Sequence, residues 1–255
     1  MISVVVGTWN RPGPLRRTLA SLAAMRVPPG LRWELLVMDT GSGETAGRVV
    51  AGFEGAAPDG VHYHRPGGGN MSRAKNAALR IARGDIVAFT DDARHRFPAH
   101  PRPLVNGHNM AIRAAIVATV GLYDTRLGPG EPFPAEDVDY TYRVLRAGHT
   151  VLRSPKPLVF HDHDRRSEEA AEARRLAYVQ GWGAVLCKHT LRGDAWMARL
   201  LAAEVWRLAR PAADPTTAGR RRRRLRALCR GIWLWALAGA RGRHAPTAAP
   251  AGQSR

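Results

Sequence analysis

Asp91 and Asp92 close an apolar stretch, Ile86-Val87-Ala88-Phe89-Thr90, while Glu136 and Asp137 open a helix-like stretch that runs on through Val138, Asp139 and Tyr140. Paired carboxylates at a strand end suit a hard divalent cation, which takes its ligands from carboxylate and phosphate oxygens. A carboxylate set apart from them suits general-base work on a hydroxyl. Together they fit group transfer from a diphosphate, with a cation on the departing group and a base for the incoming alcohol. Each pair also has an ordinary structural reading. Acidic residues in a first helical turn are favoured by the helix dipole alone, and two adjacent aspartates can be a solvated turn.

The elements that must position these groups follow an alternating order. Short apolar runs at 2–6, 35–38, 61–63 and 86–89 alternate with amphipathic stretches at 15–25, 45–53 and 72–82. That order predicts an α/β fold, a mostly parallel sheet with helices on both faces. Ligands of such sheets sit beyond the carboxyl ends of the strands. Thr8-Trp9-Asn10, Asp39-Thr40-Gly41-Ser42 and Asp91-Asp92 each follow a strand, so all three are expected on one rim. Beyond Asp92 the spacing predicts a loop over 94–103, a helix over 110–120 and a second helix over 137–146 closed by Gly148. An extended run over 151–160 then ends at His161-Asp162-His163.

Seven segments, in order, resemble the family 2 glycosyltransferases of the GT-A fold. They are Ser3-Val4-Val5-Val6-Gly7-Thr8-Trp9-Asn10-Arg11, Glu34-Leu35-Leu36-Val37-Met38-Asp39-Thr40-Gly41-Ser42, Ser72-Arg73-Ala74-Lys75-Asn76, Asn109-Met110-Ala111-Ile112-Arg113, Gly121-Leu122-Tyr123-Asp124, Glu136-Asp137-Val138-Asp139 and His161-x-His163. The resemblance implies a GT-A nucleotide-diphospho-sugar transferase domain over 1–166, using a nucleotide-diphosphate sugar and Mg²⁺ or Mn²⁺. It places Thr8, Asn10, Arg11, Asp39, Lys75 and Asp91 around the donor, with Asp39 accepting a hydrogen bond from the base. Lys75 stands where the family usually has arginine, which keeps the charge and loses the fork. Asp91 and Asp92 would hold the metal, with His161 and His163 as further candidates. Asp137 would be the general base, oriented by Glu136, giving one displacement with inversion. Asn109 and Trp182 fall on the acceptor side. Ala93 stands where the family usually has a further Asp. Only 16 residues, 93–108, separate the acidic pair from Asn109, where the family usually has several tens. The alternative reading is therefore a non-catalytic GT-A remnant that binds nucleotide sugar or membrane.

The charge is lopsided. Residues 1–164 hold 20 Lys/Arg against 15 Asp/Glu, a balance of +5, and residues 165–255 hold 19 against 6, a balance of +13, which together give the net +18. A helical extension is expected over 167–210, a linker over 211–219, a basic amphipathic helix over 220–243 and a disordered tail over 244–255. Five consecutive arginines, 220–224, precede Ile232-Trp233-Leu234-Trp235, as an interfacial helix on anionic lipid requires. A packed helical pair with a solvated arginine face is the competing reading. No nucleic-acid-binding motif accompanies the charge. The expected acceptor is a glycan or lipid-linked, and the expected location is cytoplasmic, peripheral on the membrane. No run of about 18 apolar residues exists for a spanning helix, and a strand pattern from Ile2 leaves no room for a charged leader region. Cys187 and Cys229 form no metal-ligand spacing.

Overall fold

The computed structural model describes residues 1–91, 109–152, 167–212 and 214–241. They divide into two units. One is built on the residues up to Thr125 and on 140–152, the other on Arg126–Asp139 and the C-terminal helices.

The first unit carries a sheet of order β3-β2-β1-β4-β5. Its strands are β1 (Ile2–Thr8), β2 (Trp33–Asp39), β3 (Val61–His64), β4 (Ile86–Asp91) and β5 (Asn109–Arg113). The first four run parallel and β5 runs antiparallel to β4. A parallel strand covered on both faces needs apolar residues at consecutive positions, and all seven residues of β2 are buried. Val5, Leu36, Met38, Val87 and Phe89 face α3 (Met71–Ile81) and the later turns of α5 (Glu136–Arg146), through Ala74, Ala78, Tyr140 and Val144. Val6, Leu35 and Val37 face α1 (Pro12–Ala23) and α2 (Thr45–Ala51), through Leu15, Leu19, Val49 and Val50. The expected fold class is the observed one.

The segment 110–120, read as a helix, is instead β5 followed by the short α4 (Ile116–Val120). Met110 and Ile112 alternate inward and pair across to Phe89 and Val87. Sheet pairing at an open edge outweighs a helical apolar period that spans only two to three turns.

Beneath the sheet, at the amino ends of the strands, Glu34 is buried at 1% exposure. Its Oε1 accepts from Ser3 Oγ at 2.6 Å and from the Arg83 amide at 2.8 Å, and its Oε2 accepts from Arg83 Nε at 2.7 Å. A Cβ on Gly84 would lie 2.6 Å from the Ser3 amide nitrogen, so the chain passes there only as glycine. Burial pushes the Glu34 carboxyl up, but the bonds from Ser3 and Arg83 prevail and hold it below the usual carboxylate range. A depressed carboxylate stabilises the fold above its unfolded pKa, and that contribution is lost as pH falls through the lower folded value. Melting temperature is therefore expected to fall between about pH 5 and pH 3, with a shallower fall in Glu34→Gln. An equal fall in both proteins would contradict this.

In the second unit, α6 (Glu168–Thr190), α7 (Ala195–Ala209) and α8 (Pro215–Arg241) pack together. A Cβ on Gly231 of α8 would lie 2.0 Å from the Gln180 carbonyl of α6, so the two backbones are in direct contact there. The helix expected from residue 220 begins at Pro215, inside the stretch read as linker. Asp214 caps it, accepting from the amides of Thr216 at 3.1 Å and Thr217 at 2.7 Å, with proline favourable at the first position. Trp235, read as lipid-facing, is 5% exposed. It packs edge-on to Phe133 at 5.6 Å under the Arg126 guanidinium at 4.3 Å. None of the described helices is long and apolar enough to cross a membrane.

Candidate functional site

In the first unit, the strand register sets Thr8 beside Asp39 and Gly7 beside Asp91, at the carboxyl ends of β1, β2 and β4. The Thr8 carbonyl accepts from the Thr40 amide at 3.0 Å. Asn10 turns the chain with φ 51°, a conformation that asparagine tolerates better than most residues. Its Oδ1 accepts from the Ser42 amide at 3.1 Å, tying the loop after β1 to the loop after β2. Arg11 occupies the N-cap position of α1.

Asp39 is buried on this rim with both carboxylate oxygens engaged. Oδ1 accepts from the Gly41 amide at 2.8 Å and Oδ2 from Tyr63 Oη at 2.6 Å. The Tyr63 phenol is pushed up to about 12, by burial first and then by the bond to Asp39. Tyr63 therefore acts as a neutral donor that fixes the carboxylate's orientation. In the sequence Tyr63 was only a strand residue; its pairing to Asp39 follows from β3 lying beside β2 in register, with Tyr63 opposite Val37. Trp9, between Thr8 and Asn10, is exposed and offers a ring at the same edge.

Lys75 is buried on α3, its ammonium 5.2 Å from the centre of the Tyr123 ring. It lines a small depression with Gly7, Met38, Met71 and Thr90. Two asparagines near it, one capping α3 and one within the motif, are structural. Asn70 caps α3, accepting from the Ser72 amide at 2.7 Å, and donates to the Thr125 carbonyl at 2.8 Å. Asn76 exchanges two bonds with the Tyr123 backbone, at 2.9 and 2.8 Å. The segment 121–125 is thereby fastened to α3. Asn109 is exposed at the start of β5. Asp91 ends β4, and Asp92, His161 and His163 lie outside the described residues. Among the described residues no three His, Cys, Asp or Glu converge as a metal cluster.

Glu136 and Asp137 belong to the second unit, in the first turn of α5. Glu136 is buried, and Asp137 is half-buried with Oδ1 accepting from the Val138 amide at 2.8 Å. One half-turn on, Asp139 is fully buried and its Oδ1 lies 2.7 Å from Lys188 Nζ and 2.8 Å from His189 Nε2, both in the last turn of α6. Nothing in the spacing announced this ion cluster, which forms between segments 50 residues apart. Trp182 is half-buried on α6, between Gly181, which abuts Pro134, and Gly183. The structure thus brings Thr8, Asn10, Arg11, Asp39 and Asp91 to one edge of the first unit, and holds Glu136, Asp137 and Trp182 in the second.

Residues 3–92 match the model of Glycosyl transferase family 2. Among curated proteins, the succinoglycan biosynthesis protein ExoM of Rhizobium meliloti (strain 1021) is 37% identical over 91 residues, 36% of this chain and 29% of that protein. The matched stretch spans less than a third of the length of the curated relatives compared first. Among solved structures, a mannosyltransferase from Pyrobaculum calidifontis in complex with GDP-Man and Mn²⁺ superposes with a TM-score of 0.57 at 17% identity. It covers 95% of this chain and 76% of that one. S. aureus TarS 1-349 in complex with UDP-GlcNAc gives 0.52 at 16% identity, covering 72% and 65%. The family resemblance read from the motifs is borne out over residues 3–92, and the glycosyltransferase fold of these neighbours is the fold expected.

Proposed function

We propose that the chain moves a sugar from a nucleotide-diphosphate donor to a hydroxyl of a glycan or lipid-linked acceptor, inverting the anomeric centre. The observation that carries this reading is the rim at β1, β2 and β4, where Asp39 is held in a fixed orientation beside Thr8 of β1, and β4 ends on the other side of β1 at Asp91. Nucleotide-sugar complexes of proteins with this fold support it. Asp39 accepts a base N–H, Trp9 offers a stacking surface, and Thr8, Asn10 and Arg11 line the pocket. Lys75 supplies positive charge at its floor.

Asp91, at the end of β4, and Asp92, next to it in sequence, are carboxylates, whose oxygen ligands would suit Mg²⁺ or Mn²⁺ better than a softer ion. His161 and His163 are further candidate ligands. When bound, such an ion offsets negative charge on the departing nucleoside diphosphate. Asp137 takes the proton of the acceptor hydroxyl as its oxygen bonds to the anomeric carbon and the bond to the diphosphate breaks. Glu136 orients Asp137, while Asn109 and Trp182 contact the acceptor. A lipid-linked acceptor places the protein at a membrane surface, on the cytoplasmic side, with the basic helices of the second unit against anionic lipid.

The test is release of nucleoside diphosphate from a panel of UDP-, GDP- and dTDP-sugars with Mn²⁺ and mixed glycan acceptors. One donor is expected to turn over. Donor binding without release over every acceptor would favour a binding module instead, and absence of both binding and release would remove the proposal. A finer check concerns Tyr63→Phe, which deletes one donor to Asp39. Loss of one such bond is worth about 1 kcal/mol, or about fivefold in donor affinity, read by calorimetry. An unchanged affinity would detach Tyr63 from the donor site.

A further inference from the structure

We propose that the outward face of α7 rests on an anionic phospholipid surface. Trp196, Arg199, Ala203, Trp206 and Arg210 are all exposed. Their spacing gathers them within about 80° of the helix circumference. Met197 and Leu208 turn inward and are buried. Trp196 is 55% exposed and Trp206 63%, and Leu191, at the corner between α6 and α7, is 68% exposed. The two indoles stand about 15 Å apart along the helix axis. Large apolar side chains left in water as a group mark an interaction surface.

Charge selects the occupant. Residues 191–210 carry four arginines (192, 199, 207 and 210) against two acids (194 and 204). Both acids already have partners on the helix itself. Asp194 caps α7, accepting from the amides of Trp196 and Met197 at 3.1 Å each, and Glu204 pairs with Arg207 at 2.5 Å. The face therefore presents arginine and indole together, and the Arg210 guanidinium lies 4.4 Å over the Trp206 ring. Indoles at headgroup depth beside guanidiniums that reach lipid phosphate are how a helix lies on a charged bilayer. A nucleic acid would be drawn to the denser charge at 220–224 instead. On α8 the outward residues Arg222, Arg226, Arg230 and Trp233 offer charge with a single ring. This refines the membrane part of the proposed function, moves the apolar contact from α8 to α7, and does not depend on sugar transfer.

The full chain is floated with vesicles of phosphatidylcholine alone, or mixed with phosphatidylglycerol, at about 0.1 M salt and without nucleotide sugar. Binding is expected only to the anionic vesicles. Trp196→Ser with Trp206→Ser should weaken it about tenfold, as should Arg199→Glu with Arg210→Glu. Arg222→Glu with Arg226→Glu should weaken it about threefold or less. Brominated lipid should quench tryptophan emission more in the wild type than in the variant lacking both indoles. All four residues replaced on this face are exposed, and circular dichroism of each variant is expected to match the wild type. The proposal is overturned if binding survives loss of both indoles, or if the α8 pair alone abolishes it. It is equally overturned if the indole variant loses affinity for a single-stranded oligonucleotide and keeps it for vesicles. Absence of vesicle binding overturns it too, while the donor-release assay can still succeed.

Discussion

Asp137→Asn is expected to lower sugar transfer by about 10²- to 10⁴-fold, the usual contribution of a positioned general base, while donor affinity stays within about twofold. Asparagine cannot take a proton at working pH. It can still accept the Val138 amide bond that Asp137 Oδ1 makes at 2.8 Å, so the first turn of α5 keeps its start. The loss should therefore fall on turnover, with nucleotide-sugar binding by calorimetry unchanged. Full turnover in the variant would remove Asp137 from the reaction. A matching loss of donor affinity would make it a binding residue.

The largest stability effect is expected at Asp139. It is fully buried, with Lys188 and His189 against one oxygen, and Lys188 is itself buried 5.9 Å from the centre of the Trp235 ring. Asp139→Ala leaves a buried ammonium without its counter-charge, a change that costs about 3–5 kcal/mol. Against a typical total of about 5–15 kcal/mol, that is a large fraction. The pair Asp139→Leu with Lys188→Met should cost much less than Asp139→Ala, because no buried charge is left behind. Denaturant unfolding followed by tryptophan emission measures both. Asp139→Ala within about 1 kcal/mol of the wild type would contradict the account.

Legibility in the sequence followed the range of the interaction. The four parallel strands and the polar turns after them were readable because a doubly covered strand must be apolar along its length, as β2 is. Asp39 and Asp91 reach the rim by register alone, so their neighbourhood followed from strand order. Features set by partners distant in sequence were not readable. Met110 and Ile112 became strand residues because β4 had an open edge. Trp196 faces outward, because the buried phase of α7 runs through Met197 and Leu208. Trp235 went into the core of its unit while Trp233, two residues away, stayed out. The Tyr63–Asp39 bond and the Asp139 cluster pair residues 24 and 50 positions apart, and no local pattern records such pairings.

The most direct measurement is calorimetric titration of nucleotide sugars with and without Mn²⁺, on the wild type and on Asp91→Ala. One nucleotide sugar is expected to bind the wild type in a metal-dependent way, and Asp91→Ala to abolish this binding. Binding that is indifferent to the metal and equal in both proteins, or no binding of any nucleotide sugar, would contradict it.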